Sequence, residues 1–417
     1  VTSLKFPNKG IVYVEDEDAY VQVKNTLPGQ RVRFQLKKVK KKRPEGNLTE
    51  VLVPSEIEKA VPPCPHFSEC GGCAYQTLPY EEQKKLKLNQ VKALLDAVYP
   101  DFPLDECVES PRIWEYRNKM EFSFGDEVKD GPLTLGLHKR GSFYDIVSVP
   151  DCQIIDEDLR KVLKTTQDFF RNAKLGGKSI DFYHKMRHEG VLRHLLVRKG
   201  LKTGEMLICL VTSSQGGIDS AEGKQLLEKY KDTLLALETT GTFAGILHMT
   251  NDSLSDVVKA DAVDILYGKD YFYEELLGLR FRITPFSFFQ TNSLGAEVLY
   301  ETARGYVGET KDKVVVMGHK MTDVDSFGAA VGIYRAAKTL NKKAYIVVND
   351  VTTSVRPLLE VFEEANSEEQ GIVIGSSQAR ELVDRNTVVV VVDTNRPSYT
   401  ECEEILRMTP TVVVFDH

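Results

Sequence analysis

The spacing of apolar and polar residues changes three times along the chain. Residues 1 to about 55 alternate in short runs, GIVYVEDEDAYVQVKN, QRVRFQLKKVKKKR and NLTEVLVPS, with Pro28-Gly29 and Glu45-Gly46-Asn47 as turn signals. Period-two alternation gives each strand one inward face, so this stretch predicts a small all-β barrel. In YEEQKKLKLNQVKALLDAVY the period lengthens, and Leu88, Val91, Leu94, Leu95 and Val98 share one face of a predicted helix. From Trp114 to about Phe289, strand-like runs (KMEFSF, LTLGLHKRGSF, VLRHLLVRKG, EMLICLVTSS, LRFRITPFSFFQ) mix with helical ones (IDEDLRKVLKTTQDFFRNA, SAEGKQLLEKYKDTLLAL), an α+β pattern. TNSLGAEVLYETARGYV predicts a helix capped by Thr291 or Asn292. After Lys311 the strand runs KVVVMG, KAYIVVND, TVVVVVDT and TVVVFDH are apolar at consecutive positions. Strands of that kind are buried on both faces, so this last stretch predicts an α/β parallel sheet.

A length of 417 residues allows two to four domains. The changes in pattern divide the chain into 1–55, 56–313 and 314–417. A net charge of −7 means that any nucleic-acid contact is local. The run Arg31, Arg33, Lys37, Lys38, Lys40, Lys41, Lys42 and Arg43 has no acid within it. Lysines do guard exposed sheet edges, but this density on a barrel favours phosphate contact, and the run is read as RNA-binding. No apolar run approaches the roughly 20 residues of a membrane span, so no membrane association is expected. The opening VTSLKFPNKG has no apolar signal-peptide core, and it begins with Val1 rather than Met, so the N-terminus is read as incomplete and the location as cytoplasmic.

Of the seven cysteines, Cys64, Cys70 and Cys73 form C-x5-C-x2-C in CPHFSECGGC, and Cys152 lies downstream in VPDCQ. In a reducing compartment such a cluster binds metal more often than it forms disulfides. Four thiolates suit zinc or an iron–sulfur cluster, and spacing alone leaves both open. Gly71-Gly72 lets backbone N–H groups approach the sulfurs.

The stretch CPHFSECGGCAYQTLPYEEQKKLK, succeeded in order by EYRNKMEFSF, LGLHKRGSFYDIV, VPDCQ, GVLRHLLVR and ITPFSFFQTN, resembles the RNA uridine C5-methyltransferase family, of the 23S ribosomal RNA type. The resemblance runs from the barrel to about Val307. It implies an OB-like TRAM barrel, a [4Fe–4S] cluster on Cys64, Cys70, Cys73 and Cys152, a central domain, and S-adenosylmethionine as methyl donor contacted by Gln290. It also implies RNA, ribosomal RNA in particular, as partner; no protein partner is expected. Methylating uracil C5 requires a thiolate to attack C6 and a base to remove the C5 proton. The family carries these groups and a glycine-rich cofactor turn in a Rossmann domain after a strand like the one at Lys313. No such turn comes after Val315, and the cysteines left over do not suit the role: Cys107 lies in an unsuitable context, Cys209 reads as a core strand thiol and Cys402 as a helix surface position. No catalytic residue is therefore assigned.

The residues beyond Lys311 carry different chemistry. His319, Asp323 and Asp325 form H-x3-D-x-D at a strand end, Asp393 ends another strand, and Asp416 and His417 end a third. Imidazole and carboxylates from successive strand ends suit Mn²⁺ or Mg²⁺. GHKMTDVDSFGAAVG, VVDTNRPSYTECEE and VVVFDH resemble the DHH phosphoesterases, especially the cyclic-di-AMP phosphodiesterase type. That resemblance implies His319, Asp323, Asp325, Asp393 and His417 as Mn²⁺ ligands, with Asp416 supporting them and the site incomplete at His417. The chain is accordingly read as a chimera, methyltransferase to about residue 313 and truncated DHH fragment from about 314, inactive as written. Two other readings stand beside it: a Mn-dependent cyclic-dinucleotide phosphodiesterase fragment, and a non-catalytic RNA-binding module.

Overall fold

The computed structural model describes residues 1–37, 44–105, 107–308, 313–366 and 371–416. It divides into two compact units, Val1–Gly295 and Ala296–His417, each with its own core. Among the described residues there are seven α-helices and several sheets, a multidomain α/β molecule.

The first unit opens with a five-stranded sheet of Ser3–Lys5, Lys9–Val14, Ala19–Lys24, Glu45–Val53 and Arg31–Leu36, in that spatial order. Its alternating residues put Val12, Val21 and Val23 inward against Val32, Phe34 and Leu48. Gly29, at φ +88°, supplies the turn expected at Pro28-Gly29. Glu45-Gly46-Asn47 is no turn; it begins the last strand of the sheet, and a Cβ on Gly46 would lie 2.5 Å from the Phe34 ring.

The same unit holds a seven-stranded sheet, ordered Ala262–Gly268, Thr242–Thr250, Glu205–Thr212, Leu192–Lys199, Lys119–Gly125, Thr134–His138 and Ile146–Ser148. Only the Glu205–Thr212/Thr242–Thr250 pair is parallel, and the helix Ala221–Leu235 lies between those strands in sequence. The helix Glu157–Asn172 starts where Asp156 accepts from the Leu159 N–H at 3.1 Å. These two helices cover one sheet face through Phe170 and Tyr230, whose rings lie 5.1 Å apart. The other face is closed by Phe272 and Ile283 of a hairpin, Phe272–Leu276 with Leu279–Ile283.

The helix Tyr80–Asp96 forms where the pattern predicts it but buries a different face. Leu86 and Gln90 face inward, whereas Val91 is 43%, Leu94 54% and Val98 87% exposed. Periodicity locates the helix; the neighbours that select its inner face come from distant sequence.

Asp158 is a buried carboxylate in this unit. It accepts from Lys199 Nζ at 2.6 Å, the Thr240 N–H at 2.9 Å and hydroxyl at 2.8 Å, and the Gly241 N–H at 2.8 Å. Burial alone would raise its pKa, but these donors outweigh burial and hold it far below the usual carboxylate value. A depressed folded-state pKa stabilises above the unfolded value of about 3.9, and that stability is lost as pH falls through the folded one. Asp158→Ala leaves Lys199 with Asp156 as its carboxylate partner but takes the acceptor from the Thr240 and Gly241 N–H groups, and we expect denaturant unfolding to show a loss of about 1–3 kcal/mol at pH 7 that shrinks under acid.

The second unit contains a parallel sheet ordered Val373–Ile374, Lys343–Val347, Lys313–Met317, Thr387–Val392 and Thr411–Phe415. Val314 and Val316 face Phe327, Tyr334 and Phe362 of the helices Val324–Thr339 and Arg356–Ala365. Val315 and Met317 face Ala379, Cys402 and Ile405 on the opposite side. This double burial explains the consecutive valines. Cys402 is 1% exposed, so it is a core thiol and not a helix surface residue. Among the described residues, no helix is long and apolar enough to cross a membrane.

Candidate functional site

In the first unit, Cys64, Cys70, Cys73 and Cys152 line one small pocket, walled by Leu137, Val149 and Ile154. None is in a disulfide, and Cys64, Cys70 and Cys152 are buried. The chain brings Cys152 to the other three through the strand pairs of the large sheet. Gly72 donates its N–H to Cys70 Sγ at 3.3 Å, as the glycine pair suggests. Gly71 instead donates to the His138 carbonyl at 3.0 Å, and a Cβ there would meet that same oxygen at 3.0 Å. The Arg140 guanidinium closes the loop by donating to the Phe67 carbonyl at 2.8 Å and the Cys73 carbonyl at 2.7 Å. Burial pushes the thiols of Cys70 and Cys73 up, and that of Cys152 up to about 11, with neighbouring sulfurs adding to the effect. Thiols raised in this way become thiolates most readily with positive charge placed among them, so this donor set fits a metal group.

Gln290 lies on the loop between the Leu279–Ile283 strand and the helix Ser293–Gly308. Its carbonyl accepts from Asn118 Nδ2 at 2.9 Å. Arg198, 1% exposed, gathers the same loop by donating to the carbonyls of Thr284, Pro285 and Ser287 at 2.7, 3.0 and 2.8 Å. Burial lowers its pKa to about 10, so it stays ionised at neutral pH. Asn292 caps the next helix, accepting from the Gly295 N–H at 2.9 Å. Sequence reasoning missed Arg198 and Asn118. The one available signal was that Arg198 comes directly after the apolar Leu195-Leu196-Val197 of a strand-like run.

Of the basic run, Arg31 and Lys37 are exposed, and Arg33 pairs with Glu50 on the neighbouring strand. Lys38, Lys40, Lys41, Lys42 and Arg43 lie outside the described residues.

In the second unit, His319 comes just after the strand Lys313–Met317 and Asp393 just after Thr387–Val392. These neighbouring strands flank the point where the order of the sheet reverses, since the chain runs outward on one side and then returns to the other. Loops part there and leave a crevice beyond the strand C-termini. Asp323 caps the helix Val324–Thr339, accepting from the Ser326 N–H at 2.9 Å. One ligand atom from each of His319, Asp323 and Asp393 lies within 4.8 Å of the others. His319 Nε2 is 3.7 Å from Asp323 Oδ2 and 3.4 Å from Asp393 Oδ2. Asp393 sits at φ +59°, in the left-handed region that Asp and Asn tolerate better than most residues. Gly318 packs against Ser326, where a Cβ would come within 1.9 Å of Oγ. Asp325 is exposed in the first helical turn and stands outside this group; Asp416 accepts instead from Asn395 Nδ2 at 2.6 Å. His417 lies outside the described residues.

Beside this group is a residue the sequence did not flag. Glu401, 4% exposed, accepts from Thr322 Oγ1 at 2.5 Å and Asn349 Nδ2 at 2.6 Å, tying the loops after three strands together. An imidazole with two carboxylates, one of them exposed, suits a hard divalent cation.

The thiol pocket and the carboxylate–imidazole group are two places that could hold a metal, and comparison with known proteins supplies the family. Residues 313–417 match the DHH family, N-terminal domain. An uncharacterized RNA methyltransferase of Caldanaerobacter subterraneus is 38% identical over 380 residues, covering 86% of this chain and 80% of the relative. One of Clostridium tetani is 44% identical over 318 residues, 76% of this chain and 66% of the relative. The chain belongs to this family of RNA methyltransferases and carries a DHH domain at 313–417. Its fold resembles that of the Pyrococcus abyssi tRNA (uracil-54, C5)-methyltransferase solved with S-adenosyl-L-homocysteine, with a TM-score of 0.61 and 21% identity over 93% of this chain and 83% of that one.

Proposed function

We propose that residues 1 to about 313 are the RNA-recognising part of an RNA uridine C5-methyltransferase, and that the 417 residues bind RNA, ribosomal RNA in particular, without methylating it. The observation that carries this reading is the group His319, Asp323 and Asp393. It occupies the stretch in which uracil C5 methylation needs a thiolate, a base and a cofactor turn. Of the three remaining thiols, Cys209 is wholly buried in a strand and Cys402 is buried in the second core, while the half-buried Cys107 lies far upstream of that stretch. Gln290 faces S-adenosylmethionine in this reading, while the rest of that pocket belongs to a domain whose place the DHH residues take. The join falls where both families begin a strand, a short shared stretch of the kind at which two genes recombine.

In this reading the five-stranded sheet is a TRAM barrel, and the four thiols hold a [4Fe–4S] cluster. What supports this reading is the single pocket that Cys64, Cys70, Cys73 and Cys152 share. Mn²⁺ held by His319, Asp323 and Asp393 would activate water toward a phosphodiester, and this supports phosphodiester hydrolysis as the second reading.

RNA binding is tested by its salt dependence. Neutralising Lys40, Lys41 and Lys42 should flatten the slope of log affinity against log salt by about 0.7 for each single-strand phosphate that is no longer neutralised. An unchanged slope would reduce the run to a charged sheet edge.

A further inference from the structure

We propose that the loop Lys139–Asp145, together with Met186, forms a base-stacking site for single-stranded RNA, with Phe143 and Tyr144 as its platform. The proposal rests on the RNA-binding reading above and locates part of that binding.

Phe143 is 64%, Tyr144 56% and Met186 68% exposed. They are not scattered. The Phe143 and Tyr144 rings lie edge to face with centroids 5.4 Å apart, and the Tyr144 hydroxyl reaches Met186 Sδ at 3.6 Å. The His138 ring stacks against Phe143 at 6.0 Å, and Lys185 Nζ sits 5.0 Å from the Phe143 ring centre. Each of the two rings still leaves more than half its surface in water. Clustered apolar groups held in water mark a contact surface more often than isolated ones do.

The loop is also held in shape. Lys139 donates to the Asp145 carbonyl at 2.9 Å, and Ser142 Oγ accepts from the N–H groups of Tyr144 and Asp145. Arg140 donates its own N–H to the Glu69 carbonyl at 2.7 Å, while its guanidinium grips the cysteine segment. A pinned loop presents its rings with little ordering cost on binding.

The chemistry selects the occupant. Lys185 Nζ lies at the Phe143 ring while paired with Asp256 at 2.5 Å, and Lys139 and the exposed Arg187 adjoin His138 and Met186 in sequence. With Asp256 set against these cations, a polyanion is favoured over an apolar protein surface. Stacking on an exposed ring requires an unpaired base, which single-stranded RNA offers and a duplex does not. The cysteine pocket would then act on RNA binding through Arg140, by fixing the loop.

The test uses the full chain with its metal and a fluorescent single-stranded uridine-rich RNA, read by anisotropy. Phe143→Ala and Tyr144→Ala should each weaken binding about tenfold, while Tyr144→Phe stays near wild type. The salt slope should not change in these variants, because every cation that neutralises a phosphate remains in place. Photocrosslinking of a 5-iodouridine RNA to the unmodified protein should give adducts on the peptide containing residues 139–145, a result that does not depend on a variant folding. Wild-type affinity in both alanine variants, with crosslinks elsewhere, would overturn the stacking site and leave the RNA-binding reading standing, the surface then being one for protein. No RNA binding by the unmodified chain would overturn both.

Discussion

Replacing Cys73 with alanine should remove the brown colour of anaerobically purified protein and take its iron content from about four per chain to near zero. The expectation rests on the pocket: Cys64, Cys70, Cys73 and Cys152 surround one space, and burial makes the thiolates of Cys70, Cys73 and Cys152 costly without a cationic centre. If the pocket holds the proposed cluster, losing one thiolate would remove both a ligand and the charge that balances the iron. Cys209→Ala is the control, since Cys209 is buried in a strand away from the pocket and its loss should leave iron and visible absorbance unchanged. Stoichiometric zinc without iron in the unmodified protein would sink the cluster assignment.

The second large effect concerns the DHH domain. Asp393→Asn should weaken Mn²⁺ binding by about two orders of magnitude, read as free Mn²⁺ by electron paramagnetic resonance. Asparagine keeps the shape and tolerates φ +59°, so the change removes charge without backbone strain. Asp393 Oδ2 lies 3.4 Å from His319 Nε2, close enough for one ion to take both. Asp325→Asn, outside the gathered group, should have the smaller effect if the ion sits among His319, Asp323 and Asp393. Equal Mn²⁺ affinity in Asp393→Asn and the unmodified protein would rule this centre out.

The parts of the molecule legible in the sequence are those set by local chemistry. The valines of Thr387–Val392 are buried on both faces, as consecutive apolar residues require. Asn292 caps a helix because a short polar side chain before an apolar run can satisfy a free N–H. Motif spacing likewise puts His319 and Asp393 just past strand ends and Asp323 at the start of the helix that follows. The misreadings are all matters of tertiary context. Gly46 lies in a strand because the Phe34 ring needs the space a side chain would fill. Cys402 looks exposed among the acids of SYTECEEIL, but the sheet face above it supplies an apolar cover. Arg198 and Glu401 are charged residues that the sheet buries, and their partners are carbonyls and amides distant in sequence. No periodicity announces such partners.

The join of an RNA-recognising unit to a DHH domain is tested most directly by methyl transfer. The pure 417-residue chain, with its metal loaded, is incubated with radiolabelled S-adenosylmethionine and uridine-containing ribosomal RNA stripped of that modification. We predict RNA bound but no label incorporated above background, since Cys209 and Cys402 are both buried in cores and Cys107, the half-buried thiol that remains, lies far upstream of the stretch in which the family carries its nucleophile. Robust incorporation of label at uridine C5 would contradict the account.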